Sequence, residues 1–176
     1  ECAITYDIHQ IASNGDTSLV GQKQIFIKGN SCKTILKTPA FTQTLIFNTQ
    51  QDTAIILKEI GLNKFLQYIL YASMQPVNLV ASKKNGTIST ILDYPCETIT
   101  LSSADGNAME VTYTTVIIPT VTVYEQAFKE IPGLVMRYQL TTKEGNKILY
   151  SANKVDLSPI TLNVFEVNKS NYQQIN

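Results

Sequence analysis

The feature that most constrains this chain is an alternation of apolar and polar residues with a period of two, recurring almost from end to end. In the first stretch Ile4, Tyr6 and Ile8 share one face while Thr5, Asp7 and His9 share the other, as in a half-buried strand. Gln22 to Lys28 alternates again, with Ile25 and Ile27 set against Gln24, Phe26 and Lys28, before Gly29-Asn30 turns the chain. Cys32 to Lys37, Phe41 to Asn48 and Thr53 to Ile60 read as three further strands. They are bounded by Pro39, by the Asn48 to Asp52 cluster and by Gly61-Leu62-Asn63. Short strands joined by turns predict antiparallel neighbours.

Lys64 to Lys84 is ambiguous, because Phe65, Leu66, Ile69 and Leu70 fit a helical stripe while Phe65, Gln67 and Ile69 fit one side of a strand. We read a strand passing into a helical or irregular crossing with Met74, Val77, Leu79 and Val80, where Pro76 can open a helix. Strands resume at Thr87 to Leu92 and at Cys96 to Ser102. Across Asp105-Gly106, Ile99 and Leu101 then face Met109, Val111 and Tyr113, a strong hairpin signal. Tyr124, Phe128 and Ile131 recur at four and three residues, predicting a short amphipathic helix from Val121 to Ile131 that Pro132-Gly133 ends. Leu134, Met136, Tyr138 and Leu140 form the next apolar face. Glu144-Gly145-Asn146 turns into Lys147 to Val155, and a last extended piece lies near Val164 to Val167.

The pattern predicts a single domain over residues 1–176, of α+β class but mainly β: about ten strands in a curved antiparallel sheet covered by short helices. The length suits one core, since chains of roughly 100–200 residues usually form one domain. No internal repeat or linker divides it.

Composition excludes several functions. Fourteen basic and fourteen acidic side chains cancel, and the basic ones are scattered, so no positive field exists to attract nucleic acid. No apolar run approaches the 18 or so residues of a membrane-spanning helix. The GxSxG, GxGxxG, GxxxxGK and HExxH motifs are absent, and His9 stands beside Asp7 on a polar face without an obvious nucleophile. The chain reads as non-enzymatic, without catalytic residues or cofactor. Cys2, Cys32 and Cys96 lack metal-ligand spacing and a single His cannot complete such a set, so no metal is expected. The three thiols are either all reduced or include one disulfide. Nine tyrosines stand in a chain without tryptophan, and Tyr6, Tyr68, Tyr71, Tyr113, Tyr138 and Tyr150 fall on apolar faces. They fill a core, or they line a cavity for an apolar ligand.

The run Ile91-Leu-Asp-Tyr-Pro-Cys96-Glu-Thr, the Asp105-Gly106 turn and Val111-Thr-Tyr113-Thr114 ending at Ile118-Pro119 resemble a family of small exported bacterial proteins. Phe128-Lys-Glu-Ile-Pro-Gly-Leu134 is similar to that family's G-L-P-G-L signature. Pro39-Ala-Phe-Thr-Gln-Thr44 and Thr53-Ala-Ile-Ile-Leu57 also fit. The chain therefore resembles the GLPGLI-type proteins, which are grouped with the LolA/LolB-like lipoprotein carriers. It departs from the pattern at Asp93, where glycine is usual, and at Ile131, where the signature has leucine.

The resemblance implies a half-barrel and a place in the periplasm or cell envelope; a chain opening at Glu1 without methionine fits removal of a leader. It implies a lipid-like or lipidated partner held on the concave face. Ile4, Tyr6, Ile8, Ile99, Leu101, Val111, Tyr113, Met136 and Tyr138 are the candidate lining. The alternative is an envelope protein-interaction or glycan-interaction module with a filled core. Export would permit oxidation, and Cys2 and Cys32 begin the first and third strands at one end of the sheet. Cys2–Cys32 is then the leading disulfide, with Cys32–Cys96 behind it. Lipid attachment at Cys2 would require it to be the first mature residue, and Glu1 precedes it.

Overall fold

The computed structural model describes residues 1–70, 79–103, 108–141 and 146–175. Twelve strands form one curved sheet: β1 (Cys2–Ile11), β2 (Thr17–Lys28), β3 (Ser31–Lys37), β4 (Thr42–Asn48), β5 (Thr53–Ile60), β6 (Asn63–Leu70), β7 (Leu79–Ile91), β8 (Tyr94–Ser103), β9 (Ala108–Thr114), β10 (Leu134–Thr141), β11 (Lys147–Asp156) and β12 (Gln173–Gln174). Their order across the sheet is β12-β6-β5-β4-β3-β2-β1-β11-β10-β9-β8-β7. Two antiparallel meanders, β1 to β6 and β7 to β11, are thus joined where β1 pairs with β11. Strand β12 pairs parallel to β6 at one edge.

Alternation decides which face is inside. Cys2, Ile4, Tyr6 and Ile8 on β1 are buried, and so are Ile25 and Ile27 opposite them on β2 and Cys32 on β3. From the other meander, Leu101, Val111, Tyr113, Leu134, Met136 and Tyr138 join the same cluster. Each fully buried large apolar side chain contributes about 1.5–3 kcal/mol. A bulge between Val135 and Arg137 interrupts the β9–β10 register, and the backbone beside it is held by two tyrosines: Tyr6 Oη donates to the Val135 carbonyl at 2.7 Å, and Tyr124 Oη accepts from the Val135 N–H at 3.2 Å.

The expected α+β fold, a sheet of about ten strands roofed by short helices, is corrected. Among the described residues there is no α-helix, only two 3-10 turns at Gln126–Phe128 and Leu162–Phe165, and their regular structure is nearly all sheet. The concave face is instead covered by the irregular segment 115–133, which buries Ile117, Val121, Tyr124, Phe128 and Ile131. The spacing of Tyr124, Phe128 and Ile131 reported inward burial, not a helix. Val121, Thr122 and Val123 are poor helix formers, Glu125 is extended at φ −130° and ψ 130°, and an eleven-residue helix is marginal in water. Where an extended Val164 to Val167 was expected, the second 3-10 turn occurs, with the Lys33 ammonium donating to the Val164 carbonyl at 2.7 Å. Of the expected crossing, Met74, Pro76 and Val77 lie outside the described residues, as do the Asp105-Gly106 and Glu144-Gly145 turns, while Leu79 and Val80 are not in a helical or irregular crossing but open strand β7.

Two backbone positions carry local strain or crowding. The β7–β8 hairpin turns on Leu92 and Asp93, both left-handed at φ 49° and 65°, a conformation that favours Asn-Gly. Replacing the pair by Asn-Gly should raise stability by about 1 kcal/mol, measured by urea unfolding. Gly133 immediately precedes β10, where a Cβ would sit 2.0 Å from the Thr114 carbonyl oxygen. Gly133→Ala should cost about 1–3 kcal/mol or more in the same measurement, because the obstacle is backbone and cannot rotate aside.

Candidate functional site

Between the concave face and segment 115–133 lies a cavity of about 540 Å³, within the range of roughly 300–1,000 Å³ typical of small-molecule sites. Leu36, Leu45, Ile56 and Ile69 line it from β3 to β6, and Met109, Tyr138, Leu140 and Tyr150 from β9 to β11. Tyr124, Glu125, Ala127 and Phe128 border it from the covering segment, leaving it partly open to solvent. The wall is mostly apolar.

Gln43 and Thr34 add polar groups to it, and Glu125, Tyr138 and Tyr150 gather around Lys23. This lysine lies on β2 opposite Tyr6 and Leu36, two residues before Ile25, so the strand's own period carries it inward. Its side chain is 7% exposed and ion-paired with Glu125, which is 37% exposed. Nζ donates to Tyr138 Oη at 3.2 Å and stands 5.8 Å and 5.7 Å from the ring centres of Tyr138 and Tyr150. Those two rings stack at 4.3 Å with an interplanar angle of 6°, and Phe128 meets Tyr138 edge-on at 5.0 Å. The arrangement places a cation against π-faces in a desolvated setting, which strengthens the attraction.

Burial lowers the Lys23 ammonium to about 8, with the neighbouring Cys32 acting in the opposite direction. Burial also pushes the Cys32 thiol up to about 12 and raises the Tyr124, Tyr138 and Tyr150 hydroxyls, so these stay protonated near neutrality. Thr34, on β3 beside Ile25 and Leu45, is 7% exposed and also lines the cavity. Cys32 offers its hydroxyl only a soft, weak contact, and among the described residues no group reaches Thr34 Oγ1 in hydrogen-bonding geometry.

Of the nine lining residues expected from sequence, all are buried, and Tyr138 alone lines this cavity. Ile4, Tyr6, Ile8, Ile99, Leu101, Val111, Tyr113 and Met136 pack within the core around it. Tyr68 is 43% exposed, and Tyr71 lies outside the described residues. Lys23 and Thr34 were missed although the signal was present, since each continues an inward row: Lys23 with Ile25 and Ile27, Thr34 between Cys32 and Leu36. Asp7 and His9 flank buried Ile8 and belong to the opposite face, away from the cavity. Among the described residues no cluster of three or more His, Cys, Asp or Glu side chains could hold a metal ion, and no helix is long and apolar enough to cross a membrane.

The three cysteines are free and buried, which is the all-reduced one of the two readings left open by the sequence, not the disulfide-bonded one. Cys2 and Cys32 do lie at one end of the sheet, but Ile27 on β2 sits between them in register. Two strand spacings put their Cα atoms roughly 9–10 Å apart, beyond the ~7 Å limit for a bridge. Cys96 is on β8, six strands from β3 in the sheet order.

Comparison with solved structures finds this architecture elsewhere. An uncharacterised conserved protein of Thermus thermophilus superposes with a TM-score of 0.58 at 6% identity, over 98% of this chain and 89% of that one. PNGF-II superposes at 0.56 and 12%, over 99% of this chain and 30% of its own, so the chain spans less than a third of that protein. The MucA/MucB complex of Pseudomonas aeruginosa superposes at 0.51 and 10%, over 99% of this chain and 58% of that one. The likeness is one of fold. A LolA superfamily protein of Nitrosomonas europaea superposes at only 0.39, too low to carry an argument. No family model matches the chain, and no curated protein sequence matches it. The GLPGLI resemblance therefore rests on the motifs alone.

The buried lysine gives the site a pH signature. Between pH 8 and its ordinary value of 10.5 the unfolded chain keeps a proton that folded Lys23 has released, so rising pH favours the folded state through this residue. Lys23→Met should be more stable than the parent at pH 7 by about 1–3 kcal/mol, since Glu125 is exposed enough to be hydrated when left alone. That gain should shrink as pH rises to 10. The cysteine and tyrosine contributions run the other way but are common to both proteins and cancel in the difference. Urea unfolding of the two proteins across this range checks it.

Proposed function

We propose that this protein is a non-enzymatic binding module of the cell envelope that holds a lipid-like ligand, free or attached to a protein, in the cavity under segment 115–133. The observation that carries this reading is the cavity itself: about 540 Å³, walled by Leu36, Leu45, Ile56, Ile69, Met109 and Leu140. Each CH₂ transferred into such a space gains about 0.8 kcal/mol, so a single acyl chain can be held by its apolar surface.

The envelope location is supported by the motif resemblance to small exported proteins. A structure of this fold is a complex of two proteins, MucA and MucB, which keeps a protein among the candidate partners. The alternative of an interaction module with a filled core is disfavoured by the unfilled space.

Delipidated protein should bind the neutral fluorophore N-phenyl-1-naphthylamine saturably and release it to long-chain alcohols or acids. Its melting temperature should rise with ligand, as binding to the folded state alone gives about 2.7 kcal/mol at a hundredfold excess over Kd. Leu45→Trp or Ile56→Trp, which fill the space, should weaken binding at least about tenfold. Circular dichroism would verify that the sheet is retained. Failure of every acyl compound to bind would sink the proposal.

A further inference from the structure

Resting on the reading just given, we infer that the ligand is a single-chain amphiphile with an anionic head, and that Lys23 and Thr34 receive that head inside the cavity. The two residues occupy neighbouring strands and the same inward face, in diagonal register: Lys23 is opposite Leu36, and Thr34 is opposite Ile25. Diagonal neighbours stand about 7–8 Å apart at Cα, close enough for one small head to meet both. An ammonium has three donors; Glu125 and Tyr138 use two, leaving one for the cavity. The Thr34 hydroxyl is a second donor, buried and without a partner among the described residues.

A buried hydroxyl with no partner and a buried ammonium with a spare N–H are each costly unless something accepts from them. The group that answers both is acceptor-rich and negatively charged, and a carboxylate is the smallest. A cationic head would meet Lys23 at close range and be repelled. Glu125 does not block this assignment. Its side chain is more than a third exposed, and it sits on the irregular covering segment rather than in the sheet, so it can turn to water when an anion takes its place on Lys23. It acts as a resident counter-ion that keeps the empty cavity neutral.

The experiment is a head-group series at constant chain length: dodecanoate, dodecanol and dodecylammonium, each below its micellar concentration, by calorimetry and by displacement of N-phenyl-1-naphthylamine. The wild type should bind dodecanoate about tenfold or more tighter than dodecanol, the worth of one charged hydrogen bond, with dodecylammonium weakest. Lys23→Met should erase the preference while keeping dodecanol affinity, and Thr34→Val should reduce it. Glu125→Gln should tighten dodecanoate binding several-fold by removing its competitor; a lysine–glutamate pair serving structure alone predicts no such gain. Equal binding of dodecanoate and dodecanol, or a preference for dodecylammonium, would overturn the anionic head while leaving the lipid-binding reading intact. Loss of all three ligands would overturn both. The wild-type series decides the matter even if Lys23→Met does not fold.

Discussion

The pairing of β1 with β11 is the constraint on which the rest depends. It joins residues about 150 positions apart, Ile4 to Val155 and Ile8 to Tyr150, and converts two separate meanders into one continuous sheet. Without it neither half could bury its apolar face, because the core cluster draws Ile4, Tyr6, Ile25 and Ile27 from one meander and Val111, Leu134, Met136 and Tyr138 from the other. Tyr6 reinforces the junction: fully buried on β1, it reaches across to the backbone of β10 at Val135.

A sheet this wide presents one apolar face too large to leave in water, and the chain covers it without a helix. Segment 115–133 lays Ile117, Val121, Tyr124, Phe128 and Ile131 inward and takes its internal hydrogen bonds from turns, such as Phe128 N–H to the Glu125 carbonyl and Ile131 N–H to the Phe128 carbonyl. An irregular cover follows a curved surface less completely than a second sheet would. Space remains between it and the walls formed by β2 to β6 and β9 to β11, and there the lysine, the threonine hydroxyl and the stacked tyrosines gather. The outer face is dressed differently, by the C-terminal segment: the Lys28 and Lys33 ammonium groups hold the carbonyls of Ile160 and Val164, and Ile175 N–H reaches the Leu66 carbonyl beside β12.

Much of the fold was legible because a strand with one wet face must alternate. Ile4-Tyr6-Ile8, Ile25-Ile27 and Leu134-Met136-Tyr138 each name a buried row by their spacing alone, and Gly29-Asn30 and Pro39 mark real turns. Segment 115–133 was misread for a physical reason: spacings of four and three residues show which side chains point inward, not which backbone carries them. β12, two glutamines added in parallel to β6, had no signal to read. The cysteines show the limit of strand order. Cys2 and Cys32 share an end of the sheet, but an intervening strand separates them.

What the sequence by itself determined is the identity of most inward rows, as in β1 and β2, because a period of two is local and is enforced by water on one side; β9 and β10 bury consecutive residues on both faces. Only the tertiary structure decided how far the sheet runs, that β1 lies at its middle and that the cover is irregular. It also decided that Lys23 comes to rest among Tyr138, Tyr150, Thr34 and Glu125. Those residues come from β2, β3, β10, β11 and the covering segment, and nothing local brings them together. Curvature and the closing of one distant strand pair do so.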